Sequence, residues 1–456
     1  MFLAASAILA GVELYYFFNA QVRDAEHLPI GLGMLLLAAV PALLWAKRGG
    51  SSLPVFEVLM LTTANAYAFP LLNGHRELIF YSSEDISRAG LAVILFQCSA
   101  IAVYELTRGR PSQHAFWRAE VVTQDIGRWM IYGMLLNTGY LYISTFTELV
   151  PASVESILRA IFFGIGIVST FITARRLGEA HLSPGERAFF FANILTQALL
   201  MMSTLYLVAA VSLLLLTLVG YVSGSGKLPL IPTAAALFAI AILHNGKSEM
   251  RDKYWTNEYP APGLTGLPSF YAEWFADGWK SREGDEGHAK LTSKLIDRTS
   301  LFHIMCLVVS STPANQPYLQ GETYLDIPAQ FVPRILWPNK PLGHVSTSKL
   351  AVYYGLQTEE ETQVTTIGFG MLAEAYANFG WFGLAGIAAL LAYMIKKIQC
   401  LALDSPLFSY GGLILVIMLA WSFQVEFTLS IWLASLYQAC VAVLIIPLTL
   451  KKLLGT

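Results

Sequence analysis

Residues 187–222 read RAFFFANILTQALLMMSTLYLVAAVSLLLLTLVGYV, and how this stretch divides decides the fold. A single helix needs roughly 20 apolar residues to cross a hydrocarbon core ~30 Å thick. This stretch is far too long for one crossing, so two helices meeting in a tight hairpin at Ser203 and Thr204 are expected. A re-entrant pair is the rival reading. Working outward, the same reasoning gives further spans at 2–20, 28–46, 53–72, 87–106, 128–148, 155–174, 231–245, 367–395, 407–425 and 427–449, with the hairpin supplying 187–203 and 205–222. Met1 to Phe18 is apolar but has no basic start, contains Glu13 and is followed by no cleavage site. It reads as the first span and not as a signal peptide.

Composition agrees with a membrane chain. Of 456 residues, 55% are hydrophobic and 13% charged, against roughly 25% charged in an average soluble protein. The net charge of -2 offers no global field for nucleic acid. Cys98, Cys306, Cys400 and Cys440 lack the spacing of a zinc site, and a disulfide framework is not expected. The sequence contains no HExxH motif, no phosphate-binding GxxxxGK[ST] loop and no serine nucleophile elbow, so neither a metal nor a nucleotide cofactor is expected.

Orientation follows from Lys and Arg near span ends. Lys47 and Arg48, Arg108 and Arg110, Arg128, Arg175 and Arg176, Arg187, Lys227, Lys396 and Lys397, and Lys451 and Lys452 all fall on one side if there are twelve spans with both termini cytoplasmic. Removing one helix of the 187–222 pair would put Lys227 and Lys396 on opposite sides. The expected organisation is therefore all-α and polytopic. A bundle of nine spans occupies 1–245, a large extracytoplasmic loop with amphipathic helices 246–366, and three further spans 367–456. The loop holds 25 of the 60 Asp, Glu, Lys and Arg residues.

Three basic clusters mark this loop. Lys247 and Arg251 stand four apart after the ninth span, on one face of a continuing helix. An amphipathic helix expected over 288–309 carries Lys290, Lys294 and Arg298 on one stripe and Leu291, Leu295, Phe302 and Met305 on another. Phe331-Val332-Pro333-Arg334-Ile335-Leu336-Trp337-Pro338-Asn339-Lys340-Pro341 is a rigid loop. Arg offers a planar fork to phosphate oxygens and Lys a point charge, so Arg251, Arg298, Arg334, Lys247 and Lys340 are anion-site candidates. Solvated loop charges and headgroup contacts are the alternative, and it suits Lys290 and Lys294 better. Glu374 interrupts an apolar run at the start of the span over 367–395, where an acid is either functional or a structural bridge. His303 has the same two readings.

The residues Arg298, Gly321-Glu322-Thr323-Tyr324, Pro333-Arg334 through Trp337-Pro338-Asn339-Lys340-Pro341, and Glu374-Ala375-Tyr376-Ala377-Asn378-Phe379-Gly380-Trp381-Phe382-Gly383 together resemble the Wzy-type oligosaccharide repeat unit polymerases. The topology resembles that family over the whole chain, and the motifs over 245–383. The resemblance implies a GT-C-like glycosyltransferase of the bacterial cytoplasmic (inner) membrane. It would use undecaprenyl-pyrophosphate-linked oligosaccharide as donor and acceptor among membrane lipid, with a chain-length regulator and a flippase as companion proteins. In that setting Glu374, then Glu322 and His303, are candidates for the general base. Lys247, Arg251, Arg298, Arg334 and Lys340 would hold pyrophosphate, Tyr376 and Asn378 would position sugar, and Trp337 would stack on it. The related ligases favour a loop histidine motif that has no clear counterpart here. A ligase, a flippase of lipid-linked glycan and a lipid-binding assembly subunit are the competing readings; matching halves around a central polar cavity would favour transport.

The topology has a direct check. In intact cells a cysteine at Ser281 should react with an impermeant thiol reagent and one at Ser51 should not; the reverse pattern would invert the chain.

Overall fold

The computed structural model describes residues 2–50, 52–112, 114–120, 124–147, 149–205, 207–255, 262–280, 300–332, 336–363, 366–403, 405–406 and 409–445. Both labelling positions, Ser51 and Ser281, lie outside them. The described residues are helical and contain no β-strand. In chain order the principal helices are α1 (Phe2–Asn19), α2 (His27–Lys47), α3 (Val55–Leu72), α4 (Ser83–Leu106), α5 (Gln124–Phe146), α6 (Ala152–Gly178), α7 (Pro184–Met202) and α8 (Leu207–Ser225). They continue with α9 (Leu230–Asn245), α10 (Lys247–Trp255), α11 (Leu267–Lys280), α12 (Phe302–Ser311), α13 (Val345–Tyr353), α14 (Gly370–Ala402), α15 (Tyr410–Trp421) and α16 (Leu429–Cys440).

Six of the described helical stretches are long and apolar enough to cross a membrane: α1 to α4, Leu158–Gly178 within α6, and α14. Leu3, Ile8, Leu14, Phe17 and Phe18 on α1 are all more than half exposed. Such a surface is stable against lipid and not against water. The chain is a helical, multi-pass membrane protein.

The stretch 187–222 divides at the position expected. α7 ends at Met202, α8 begins at Leu207, and Leu205 takes φ +62° in the turn. Ser183 opens α7 with a capping box, its hydroxyl accepting from Glu186 N–H while the Glu186 carboxylate accepts from Ser183 N–H.

The helices pack as two compact units, Met1–Ala119 with Ile296–Gln438, and Glu120–Leu295 with Ala439–Thr456. These units cut across the three sequence segments 1–245, 246–366 and 367–456. Each is tied internally by buried amides, which substitute for the missing hydrophobic force between helices in lipid. In the first unit Gln97 Nε2 on α4 donates to Met34 O on α2 at 3.1 Å and to Thr63 Oγ1 on α3 at 2.8 Å. In the second, Gln197 on α7 donates to Asn193 Oδ1 and to Met134 O, and accepts from Asn137 Nδ2 on α5.

Two departures from regular helix shape the first unit. Ala64–Ala68 within α3 is a π-helical turn, which releases a carbonyl from the regular ladder; Ala66 O accepts Leu301 N–H at 2.9 Å and anchors the entry to α12. The second departure corrects the single long span read over 367–395. α14 breaks at Gly380, with φ 60° and ψ −140°. The part before the break, 370–379, is buried along nearly its whole length. The part after it, 381–402, is roughly 33 Å of helix at 1.5 Å per residue and could cross a membrane by itself.

A side chain at Gly380 would hold φ in a region reserved for glycine and would sit 2.7 Å from Tyr318 Oη. Gly380→Ala should therefore lose about 1–3 kcal/mol of stability, seen as a lower unfolding midpoint in detergent, whereas Gly386→Ala, mid-helix and in open space, should leave the midpoint unchanged or raise it by removing a helix-interior glycine.

Candidate functional site

The site grows from the short buried helix before the Gly380 break. Glu374 is 0% exposed. Its Oε2 accepts Leu429 N–H at 2.7 Å, so the carboxylate caps the first residue of α16, where a helix dipole favours negative charge. Oε1 makes no hydrogen bond among the described residues, and the Thr323 hydroxyl faces the carboxyl group. One turn on, Asn378 is engaged with the protein itself. Its Nδ2 donates to Glu374 O and to Thr323 Oγ1, both at 2.8 Å, and its Oδ1 accepts Gly321 N–H at 2.9 Å. Leu319 and Gln320 N–H bond to Ala377 O and Asn378 O. Residues 319–323 are thereby clamped onto the helix, with Gly321 at φ +93° making the turn. Because the Thr323 hydroxyl accepts from Asn378, its own hydrogen remains available to Glu374.

Thr323 is also where this buried cluster meets an open pocket of about 370 Å³, lined among others by Glu322, Thr323, Ser348, Lys349, Tyr353 and Glu359. That volume lies in the ~300–1,000 Å³ range of small-molecule sites. Lys349 Nζ stands 3.1 Å from Asp326 Oδ2 and 3.8 Å from Glu322 Oε1, so the cation is already neutralised. Besides Lys349, the pocket offers carboxylate and hydroxyl oxygens, the Gln363 amide, the His344 imidazole and the Tyr353 ring, a set that matches sugar hydroxyls better than a pyrophosphate.

Of the expected residues, the structure brings Glu374, Asn378, Glu322 and Tyr376 into one neighbourhood through the 319–323 clamp. Tyr376 is fully buried, edge-on to Tyr318 and to Trp381. Neither it nor Asn378 presents a surface to a sugar, in contrast to the positioning roles expected of them. Lys340 is 9% exposed and donates to Val332 O at 2.9 Å, a structural tie across its own loop. Trp337 in that loop is 44% exposed and open to stacking. Lys247 opens α10, in the second unit, and on the same helix Arg251 Nη2 donates to Leu205 O at 3.0 Å, bracing the 203–205 turn. Arg298 and Arg334 lie outside the described residues, as do Lys290 and Lys294 and most of the helix expected over 288–309. The described part, α12, begins at Phe302 with Phe302 and Met305 buried.

Sequence reasoning missed a second cluster in the first unit. His303 stacks on His75, with ring centroids 4.8 Å apart and planes 5° apart. Glu77 N–H donates to His75 Nδ1 at 3.2 Å. Burial, aided by His75 and Arg76, pushes the His303 imidazole down to about 4, so the ring is neutral near pH 7. Arg88, at the start of α4, is close enough to act on Tyr376 electrostatically. The visible signal was the short charged segment Asn73-Gly74-His75-Arg76-Glu77, which reads as a turn by itself. Among the described residues no group of three or more His, Cys, Asp or Glu side chains is placed to hold a metal.

No protein-family model matches the chain, and neither a curated protein nor a solved structure matches it.

The His303 geometry fixes a pH dependence. An unfolded His titrates near 6.5 and the folded one near 4, so between these values the unfolded chain binds more protons and stability rises with pH. Stability from this group should be complete above about pH 6.5 and decline as pH falls toward 4. His303→Phe should flatten that part of the pH–stability curve; an unchanged slope would assign it to other groups.

Proposed function

We propose that this chain is a metal-independent glycosyltransferase that joins undecaprenyl-pyrophosphate-linked repeat units, in the manner of the Wzy-type polymerases it resembles. In this reading it is GT-C-like, with about twelve spans and both termini in the cytoplasm. It acts at the outer face of the bacterial cytoplasmic membrane, where lipid-linked donor and acceptor meet. The observation that supports the reading is the continuity from an open pocket bearing Glu322 to the buried Glu374 through Thr323.

The chemistry divides between these groups. A general base must come within hydrogen-bond reach of the proton it takes. Glu322 lines the pocket and is exposed, whereas Glu374 is enclosed, so Glu322 replaces Glu374 as the first candidate for the base. The acceptor hydroxyl oxygen bonds to the donor's anomeric carbon and passes its proton to the carboxylate. The bond from that carbon to the pyrophosphate oxygen breaks, and the electron pair leaves on the pyrophosphate. Arg298 and Arg334 neutralise the departing charge, which fixed cations do without further reorganisation. Glu374 holds Thr323, and hence the pocket wall, in register with α16.

Purified chain with lipid-linked repeat unit tests the assignment. Glu322→Gln should lower turnover by about 10²–10⁴-fold with donor binding retained. Full turnover in Glu322→Gln together with loss in Glu374→Gln would return the base to Glu374, and full turnover in both would remove carboxylate catalysis. In cells, Arg298→Ala and Arg334→Ala should abolish long polymer while single repeat units still reach the surface; normal chain lengths in both would end the pyrophosphate role.

A further inference from the structure

The end of the first unit where α4 and α14 both finish carries a second pocket, of about 320 Å³, lined by Arg108, Arg110, Ser112, Lys397, Cys400 and two apolar side chains. It is built and not merely charged. Ser112 N–H donates to Cys400 O at 3.1 Å, which fastens the strand of chain after α4 along the last turns of α14. Beneath it, Lys396 Nζ lies 4.3 Å from the centre of the Tyr104 ring, Tyr104 bonds to Gln399, and Tyr104 stacks on Phe56 at 3.9 Å.

Accounting for the charges here leaves an excess of cations. Arg48 pairs with Glu105. Lys396 covers Tyr104 and, with Arg48, acts on the buried carboxyl of Glu57, which is 4% exposed. Among the described residues Arg108, Arg110 and Lys397 have no carboxylate partner. Lys397 also lies over the Tyr393 ring, 5.2 Å from its centre; three cations without a carboxylate partner among the described residues attract an anion with several oxygens, and two of them are guanidinium forks suited to phosphate. The pocket also contains Ile398 and Leu401 and stands at the ends of two membrane-length helices. That is the depth of a lipid phosphate, and the apolar wall suits the start of its acyl chains.

We infer that this pocket is a binding site for the phosphodiester headgroup of an anionic glycerolipid, between the end of α4 and the end of α14. The inference rests on membrane placement alone and not on glycosyl transfer. By the charge rule this end faces the cytoplasm, away from the pocket bearing Glu322. A lipid held there pins α14, the helix whose far end carries Glu374.

Native mass spectrometry of the detergent-solubilised full chain, titrated with phosphatidylglycerol or phosphatidylcholine, tests it. Wild type should retain phosphatidylglycerol in preference to phosphatidylcholine. Arg108→Gln/Arg110→Gln should bind phosphatidylglycerol about 30-fold more weakly, from ~1 kcal/mol per basic side chain near a lipid surface. Arg108→Lys/Arg110→Lys should recover part of that loss, which separates binding from misfolding. The control Arg187→Gln/Lys227→Gln removes the same charge elsewhere and should leave affinity unchanged. Equal retention of both lipids, or an equal loss in the control, would overturn the site. Displacement of the lipid by millimolar inorganic phosphate alone would make it a free-anion site and overturn the lipid assignment.

Discussion

A carboxyl group with no access to water can remain in a membrane protein only if it is neutral or its oxygens meet fixed donors. For Glu374 that donor is Leu429 N–H, at the N-terminus of α16. The neighbouring features of the first unit follow from that contact. The helix bearing Glu374 must end where it meets the 319–323 segment, and Gly380 permits the break. Asn378, one turn along, bonds to Glu374 O, Thr323 and Gly321 at once. Gly370, at φ +74°, starts the same helix, and its N–H bonds to Glu426 O just before α16. The carboxylate is thus the shared fixture of α14, α16 and one wall of the pocket.

This dependence explains why a glutamate in the middle of an apolar run does not by itself identify a catalytic base. A buried acid with one oxygen on a helix N-terminus is already performing structural work, and its removal leaves an orphan N–H. The proposed transfer would need a carboxylate that solvent and substrate can reach. Glu322 meets that condition because Gly321 turns the chain outward just before it, and the clamp from Asn378 holds that turn in place.

Six of the expected spans coincide with long apolar helices among the described residues, and they were legible because length and apolarity are local properties. The division of 187–222 was legible because no single helix of that length fits a bilayer. The break at Gly380 was not, since Gly380, Trp381, Phe382 and Gly383 continue an apolar pattern and the Tyr318 hydroxyl that crowds this position lies some sixty positions earlier. The engagement of Asn378 was hidden for the same reason: an Asn near a helix end reads as free until the segment that consumes its donors is placed beside it. His303 was visible as a lone histidine, but its stacking partner His75 belongs to a different loop. What the sequence carried well was the set of residues around Glu374; what it could not carry was which of them face inward.

The two ends of the first unit also differ in kind. The pocket bearing Glu322 has its one lysine neutralised by two carboxylates, whereas the pocket at the other end has three cations and, among the described residues, no neutralising acid. A pyrophosphate would be poorly served by the first and a sugar poorly oriented by the second. In the proposed function the donor's phosphate is therefore assigned to cations other than Lys349. Lys340 is tied to Val332 O, and Arg251, in the second unit, braces Leu205 O. Within the proposed function, Arg298 and Arg334 are the basic side chains assigned to the donor's phosphate, and the Glu322 pocket supplies the carboxylate for the acceptor's hydroxyl.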